Sequence, residues 1–211
     1  MPRIARISAE GIVLAAIAVA DRGGLESLTM ARVGRELGVE AMALYRYFPG
    51  KDSLLDAVAE HLIGEITLKP DDTNWEQAAR AALQSIRDLA RRHPALFAMA
   101  LERAPRALAE AHLVDQFLAL MRREGLGGPD ALRLFRLLSD YAIGFALSEL
   151  RGFVLEGEAL GVTADADTFP EVARLVSALG PPDHDADFAF GLDLLFAGAH
   201  AMLAGRETGT T

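Results

Sequence analysis

The sequence predicts an all-α protein, a small helical head followed by a larger helical body. Three observations carry this. Apolar residues make up 51% of the 211 residues, too many for a disordered chain and enough for a real core. Ala and Leu dominate, while Val, Ile and aromatic residues do not alternate over useful lengths, so strand signals are nearly missing. Charge is uneven. Residues 1–50 hold Arg3, Arg6, Arg22, Arg32, Arg35 and Arg46 against Glu10, Asp21, Glu26, Glu36 and Glu40, a balance of +1 that Lys51 raises to +2. Because the whole chain carries −9, the rest carries −11. A near-neutral head on a strongly acidic body points to two jobs.

The elements follow in order. A first helix is expected from Ala9 to Arg22, with Ser8 as its cap and Gly23 and Gly24 as its stop. A second runs from Met30 to Leu37, capped by Thr29, with Leu28 packing on Val33 as a hydrophobic staple and Gly38 ending it. A third spans Glu40 to Tyr47 before Pro49 and Gly50 break the chain. A connecting helix follows from Lys51 to Thr67. The body begins after Pro70 with helices over Trp75–Arg92, a short one opened by Pro94, Arg106–Arg123, and a long one from Pro129 to Leu155. Glu156 to Asp167 reads as a loop, Thr168 to Leu179 as a helix, and Asp183 to Gly205 as the last helix before a frayed tail. The expected division is residues 1–50 for the head, 51–67 for the connecting helix and 68–211 for the body.

Several classes are disfavoured at once. Cysteine is absent, which removes disulfides, thiol chemistry and Cys-ligated metals. The apolar stretch Ile12–Ala20 closes after nine residues, against the roughly 20 that a membrane span needs. No other uninterrupted apolar run approaches that length, and the N-terminus offers no secretory signal, so a soluble cytoplasmic protein without membrane contact is expected. The acidic total argues against a protein that coats nucleic acid, but not against a small DNA-reading module on an acidic body.

The head is the informative part. Its second and third helices are joined by a tight turn at Gly38, which is helix-turn-helix spacing. Met30, Val33 and Leu37 share a face, and Val39 and Leu44 continue the same small core. Tyr45, Arg46 and Tyr47 follow with little room for burial. A Tyr hydroxyl suits a phosphate, and Arg suits a base edge or a phosphate. Lys51 opens a helix whose N-terminus also favours a phosphate. Spacing alone leaves two readings open, a DNA reader and an ordinary helical bundle in which Tyr45 is core and Lys51 pairs with Asp52.

Residues Leu25 to Leu55 read LESLTMARVGRELGVEAMALYRYFPGKDSLL. This stretch closely resembles the N-terminal domain of the TetR family of bacterial transcriptional repressors. The resembling features are Gly23 or Gly24 with Leu25, Thr29, Val33, Leu37-Gly38-Val39, Leu44-Tyr45, Tyr47-Phe48, Lys51 and Leu54-Leu55. They cover most of residues 8 to 60. The remainder resembles the family in length and helical layout, with a rhythm closest to the subgroup containing the tetracycline repressor. The resemblance implies an N-terminal DNA-binding domain, a C-terminal ligand-binding and dimerisation domain, and a homodimer on a palindromic double-stranded DNA operator. It also implies that the third helix enters the major groove. The carried positions are Ala41, Met42, Tyr45, Arg46 and Tyr47, with Thr29, its neighbour Arg32 and Lys51 beside the backbone. Ala31 and Ala41 depart from the subgroup, which has long polar base readers there. Ala and Met suit a thymine methyl but make no bidentate contact, which shifts weight to Arg46 and to the arm with Arg3 and Arg6.

The body reads as a sensor. Ala142, Gly144, Ala146 and Ser148 in the long helix, with Ala197, Gly198, Ala199, Ala201, Ala204 and Gly205 in the last, let helices approach closely. They fit either a four-helix dimer interface, as the resemblance implies, or a tight intrachain face. Phe97, Met99, Leu101, Phe117, Leu120, Met121, Leu138, Tyr141 and Phe145 suit an adaptable apolar cavity for a small-molecule effector and equally an ordinary core. Arg103, His112, Gln116 and Asp140 are candidate polar contacts. His61, His93, His112, His184 and His200 lack ligand spacing, so no metal or cofactor is expected. Asp140 falls where the subgroup's drug-contacting histidine would lie, and no magnesium-ligating histidine can be matched. No hydrolase elbow, P-loop or dinucleotide fingerprint occurs. A motif-free helical enzyme and a purely structural helical dimer are the rivals to a ligand-responsive regulator, expected to be a repressor.

Overall fold

The structure, a computed structural model, describes residues 7–68, 74–104, 107–152, 168–176 and 183–207. Its regular elements there are helical: α1 (Ala9–Gly23), a 3-10 turn (Leu25–Ser27), α2 (Met30–Glu36), α3 (Ala41–Leu44), α4 (Lys51–Gly64), α5 (Trp75–Arg92), α6 (Pro94–Arg103), α7 (Leu108–Arg123), α8 (Gly128–Arg151), α9 (Pro170–Val176) and α10 (His184–Glu207). The all-α expectation holds. The chain forms two compact units, Met1–Phe135 and Arg136–Thr211, with the boundary inside α8. The arm with Arg3 and Arg6, the loop Glu156–Asp167 and the end of the tail lie outside the described residues.

In the first unit, α1 is capped as expected: the Ser8 hydroxyl accepts the Gly11 N–H at 3.0 Å. The 3-10 turn was not foreseen. Ser27 fastens it by donating its hydroxyl to the Val19 carbonyl at 2.9 Å, so a short polar residue is buried with its hydrogen bond made. Thr29 caps α2 by accepting the Arg32 N–H at 3.2 Å. Leu28 and Val33 are both fully buried, as a staple requires.

The turn between α2 and α3 depends on two glycines. Gly38 sits at φ 68°, where other residues are strained. Gly34, unremarked in the sequence, matters through space: a Cβ there would lie 2.8 Å from the Val39 carbonyl oxygen. The Val39 N–H donates to the Gly34 carbonyl at 2.9 Å, so the two backbones touch.

α3 and α4 each end three residues earlier than expected. α3 stops at Leu44 rather than Tyr47, because the N–H groups of Tyr47 and Phe48 both turn back to the Leu44 carbonyl, at 2.9 and 3.0 Å. This closing turn buries Leu44 and Phe48. α4 stops at Gly64 rather than Thr67. Its end tightens into i to i+3 bonds, Glu65 N–H to Leu62 O at 3.2 Å and Ile66 N–H to Ile63 O at 3.0 Å. β-Branched Ile66 and Thr67 then favour extended chain.

α5 has the expected limits, and Asn74 supplies its cap by accepting the Gln77 N–H at 3.1 Å. Its buried Trp75, Ala78, Ala79, Ala82, Leu83, Ile86, Leu89 and Ala90 recur at helical spacing. α7 begins at Leu108, two residues later than expected, and α8 spans Gly128–Arg151 rather than Pro129–Leu155. Within this unit α4 packs on α1, α6 and α7, and α1 packs on α2 and α6.

The second unit is organised by Tyr141. Its ring stacks on Phe188 at 5.5 Å between centroids, and its hydroxyl donates to the Phe188 carbonyl at 3.0 Å. Phe145 meets Phe188 at 5.1 Å. Gly191 leaves room for this, since a Cβ there would land on the Tyr141 ring and hydroxyl. Residues 184–205 form a helix long and apolar enough to cross a membrane by length and composition, with a mean hydropathy of 1.5 and 22% of it buried. Asp185, Asp187, Asp193 and His200 interrupt it in sequence, so the expectation that no second uninterrupted apolar run approaches a membrane span stands.

Candidate nucleic-acid interface and ligand cavity

The sequence-predicted interface residues cluster at the start of α2, on α3, and through the turn into α4. Thr29 and Arg32 are exposed at the first turn of α2, and Ala41 is half-buried at the start of α3. Met42 is 72% exposed, Tyr45 44% and Tyr47 40%. Arg46 and Lys51 are also exposed. Leu44 and Phe48 face the core between them, so α3 and its turn rest on a packed floor and present the intervening side chains outward. A large exposed Met and two exposed Tyr on a short helix and its closing turn are costly to leave in water without a partner surface.

Two of these residues are already committed locally. The Tyr47 hydroxyl donates to the Ile7 carbonyl at 2.6 Å. Its proton is therefore used to hold the segment before α1, and its oxygen remains an acceptor. The Arg32 guanidinium leans back toward Gly23, where Arg22, Arg32, Arg35, Glu36, Val19 and Gly23 line a polar recess of about 430 Å³. Arg22 is ion-paired with Glu36 there, leaving the recess net positive. Charge alone flagged these arginines in the sequence; their convergence needed the fold.

Lys51 occupies the first position of α4 beside the α3 turn. Gly50 and Ser53 bond reciprocally: Gly50 N–H donates to the Ser53 hydroxyl at 3.3 Å, which donates to the Gly50 carbonyl at 2.9 Å. Ser53 thus replaces the side chain that Gly50 lacks as a cap. Asp52, the alternative partner for Lys51, pairs instead with Arg103 of α6 at 3.1 Å. Arg103 also bonds Asp56. Its guanidinium pKa is raised: desolvation acts to lower it, and the hydrogen bonds and charges of Asp56 and Asp52 outweigh that.

Helix α4 with its C-terminal cap is tied to the body at two further points, and α1 at one. Glu60 Oε1 accepts the Ala109 N–H at 3.0 Å and so caps α7, whose own cap position holds Ala107. Glu65 pairs with Arg92 at 2.6 Å. Between α1 and the α5–α6 corner, His93 Nδ1 meets Asp21 at 2.9 Å. Polar contacts thus join α6 and α7 to the helix that carries Lys51.

The expected effector residues divide between the units. In the first, Phe97, Met99, Phe117, Leu120 and Met121 are buried, and Leu101 and Gln116 are half-buried. Phe117 packs against Phe135 at 5.4 Å. In the second, Leu138 is buried, Tyr141 and Phe145 are half-buried and Asp140 is exposed. Arg103 is spent on the clasp to α4 rather than offered to a ligand, and His112 is exposed. A cavity of about 420 Å³ lies elsewhere in the first unit, lined by Ala104, Ala107, Glu110, Ala111, Val114, Asp115 and Leu118. None of these belonged to the expected set.

The small residues of the long helices also divide. Ala142, Ala146 and Ala199 are buried within the chain, while Gly144, Ala197, Gly198, Ala201, Ala204 and Gly205 are exposed. Among the described residues no group of three or more His, Asp or Glu is arranged to hold a metal ion.

Comparison with known proteins bears on both halves. Residues 12–58 match the profile described as bacterial regulatory proteins, tetR family, and residues 69–203 match the tetracyclin repressor-like C-terminal domain. The HTH-type transcriptional repressor DrrR1 of Streptomyces coeruleorubidus is 30% identical over 95% of this chain and 80% of its own length. The class C tetracycline repressor protein of Escherichia coli is 31% identical over 93% of this chain and 92% of its own. Apo ActR of Streptomyces coelicolor superposes with a TM-score of 0.80 at 25% identity, covering 96% of this chain and 99% of ActR. ActR in complex with actinorhodin gives 0.77 at 25% identity over 94% and 99%.

Proposed function

From the premise that the chain belongs to the tetR family of bacterial regulatory proteins, and is accordingly a DNA-binding transcriptional regulator rather than an enzyme, we propose that it is a homodimeric repressor released from a palindromic operator by a small, mostly apolar molecule. The observation that carries the reading is the outward row Met42, Tyr45 and Arg46 on a floor of Leu44 and Phe48, followed at once by Lys51 on a new helix. In this reading residues 1–50 bind DNA, residues 51–67 connect, and residues 68–211 bind effector and dimerise.

Each part has a physical role. α3 enters the major groove. Met42 and Ala41 lie against thymine methyls, and Arg46 reaches a base edge or phosphate. Thr29, Arg32 and Lys51 grip the backbone, with Tyr45 and Tyr47 beside them. Two copies meet through the exposed apolar surface of α10, and operator binding calls for recognition helices about 34–36 Å apart, one turn of B-DNA. The effector shifts the balance between two spacings only through its unequal affinity for them. A tenfold loss of operator affinity requires about 1.4 kcal/mol of such coupling. The clasps of Arg103 and Glu60 to α4 are the route by which it reaches the heads. Supporting the effector role is ActR, a similar protein with actinorhodin bound.

Fluorescence anisotropy with duplexes drawn from the DNA flanking the gene tests this. Sequence-selective, salt-dependent binding by two chains is expected. Binding that ignores sequence, or none, would overturn it.

A further inference from the structure

The first turns of α4 carry the wrong charge balance for a helix end that meets DNA. Lys51 is followed at once by Asp52, and Asp56 lies one turn beyond Asp52 on the same side of the helix. Lys51 to Asp56 therefore hold one cation and two carboxylates, a net charge of −1. Both carboxylates reach solvent: the Asp52 side chain is 92% exposed and that of Asp56 48%. At 1.5 Å of rise per residue, Asp56 lies about 7.5 Å along the axis from Lys51. That is within the roughly 8 Å over which charges act on one another at physiological salt. A phosphate drawn to Lys51 is thus repelled by two neighbours. One residue from outside the head offsets this. The Arg103 guanidinium, at the end of α6, donates to Asp52 Oδ1 at 3.1 Å, to the Asp52 carbonyl at 3.2 Å and to Asp56 Oδ1. With Arg103 counted, the group is neutral.

We propose that Arg103, a residue of the body, is a positioning residue for DNA binding: it neutralises Asp52 and Asp56 so that the N-terminal turn of α4 accepts the phosphate held by Lys51, a role that rests on the reading of Lys51 as a phosphate contact given above. Asp52 in the first turn favours the helix dipole and so helps α4 to form. Arg103 keeps that benefit and removes the repulsion that comes with it. Its planar fork reaches acceptors on both aspartates at once, as a donor with spread N–H groups can. A contact that merely ties two helices together makes the opposite demand on these residues. For a tie, both aspartates are needed and their removal weakens DNA binding. For a neutraliser, the aspartates are the liability and Arg103 is the remedy.

The test is fluorescence anisotropy of the full-length protein across a salt series, with labelled duplexes from the DNA flanking the gene and one of mixed sequence. Arg103→Met, which keeps the length and drops the charge, should weaken binding about threefold per head, the scale of an exposed charge pair, and so about tenfold for a dimer. The loss should be alike on every duplex and shrink as salt rises. Arg103→Lys, which keeps the charge, should retain most of the parent's affinity. Adding Asp52→Asn and Asp56→Asn to Arg103→Met should return affinity to within about twofold of the parent. The same two asparagines with Arg103 intact should bind more tightly than the parent. Thermal melting verifies that Arg103→Met is folded; should it not be, the asparagine pair in the parent decides, because a tie predicts weaker binding there and a neutraliser tighter. Four results would each overturn the proposal: unchanged affinity in folded Arg103→Met, an Arg103→Lys variant as weak as Arg103→Met, a loss that the asparagines fail to restore, or equal or weaker binding when they are placed in the parent. A parent that binds no duplex would instead overturn the DNA-binding reading beneath it.

Discussion

The head and the last helix dispose of their apolar residues in opposite ways. Between α1 and α4, Ile12, Leu28, Val33, Leu44, Leu54 and Leu62 are fully buried, and the exposed row is mixed, with Tyr45, Arg46, Tyr47 and Lys51 among it. α10 buries one stripe, Phe188, Leu192, Phe196 and Ala199, and leaves Phe190 67% and Leu194 61% exposed. Around them lie exposed Ala197, Ala201 and Met202. The head thus closes its own core with one chain and keeps a polar-aromatic surface for a partner of different chemistry. α10 instead leaves an apolar face in water, which the proposed homodimer would cover. In the proposed homodimer a second copy of the same helix covers that face, with Gly198 and Ala201 allowing close approach.

The sharpest way to break this contrast is to charge the exposed stripe. Phe190→Arg combined with Leu194→Arg should leave helix content by circular dichroism near that of the parent, convert the dimer to a monomer, and lower operator affinity by about 10²–10⁴-fold, because two linked heads lose their avidity. An undiminished dimer would move the interface away from this stripe. Next in size is the core beneath the expected effector residues. Phe117→Ala removes a buried ring packed on Phe135 and should cost about 3–5 kcal/mol, read as a lower denaturation midpoint with unchanged slope. If stability holds while effector binding falls, Phe117 lines a ligand site rather than the core.

These two sites mark what the sequence made legible. In the head α1 and α2 were readable to within a residue, because caps at Ser8 and Thr29 and the stop at Gly38 act locally. The need for Gly34 was hidden, since the atom it spares, the Val39 carbonyl oxygen, comes near only after α3 folds back. The body was legible as helices and no further. An aromatic such as Phe97 has one signature whether it faces a ligand or a neighbour, and Glu110 and Ala104 carry no local sign of a shared cavity. Arg103 was read as a ligand contact because its partners, Asp52 and Asp56, lie about fifty residues away. The small residues were legible as a packing face but not as which face, and the fold divides them between inside and outside.

Smaller effects sharpen the head's side of the comparison. Gly34→Val drives a branched side chain into the α2–α3 turn and should destabilise the protein by about 1–3 kcal/mol, with a loss of operator binding larger than the loss of stability. A calorimetric melt alongside the DNA titration separates the two. Lys51→Ala should weaken binding to all duplexes alike and lower the slope of log affinity against log salt by about one unit. An unchanged slope in a folded variant would remove Lys51 from the phosphate set.

The central claim is that one chain carries one reading head and half a dimer interface. Sedimentation equilibrium of the protein, alone and with a labelled duplex from the DNA flanking its gene, tests it most directly. The expected result is a mass of two 22.6 kDa chains in solution and two chains per duplex, reduced to single chains by the paired arginine substitutions on α10. A 22.6 kDa monomer that binds the duplex one chain at a time with undiminished affinity would contradict it.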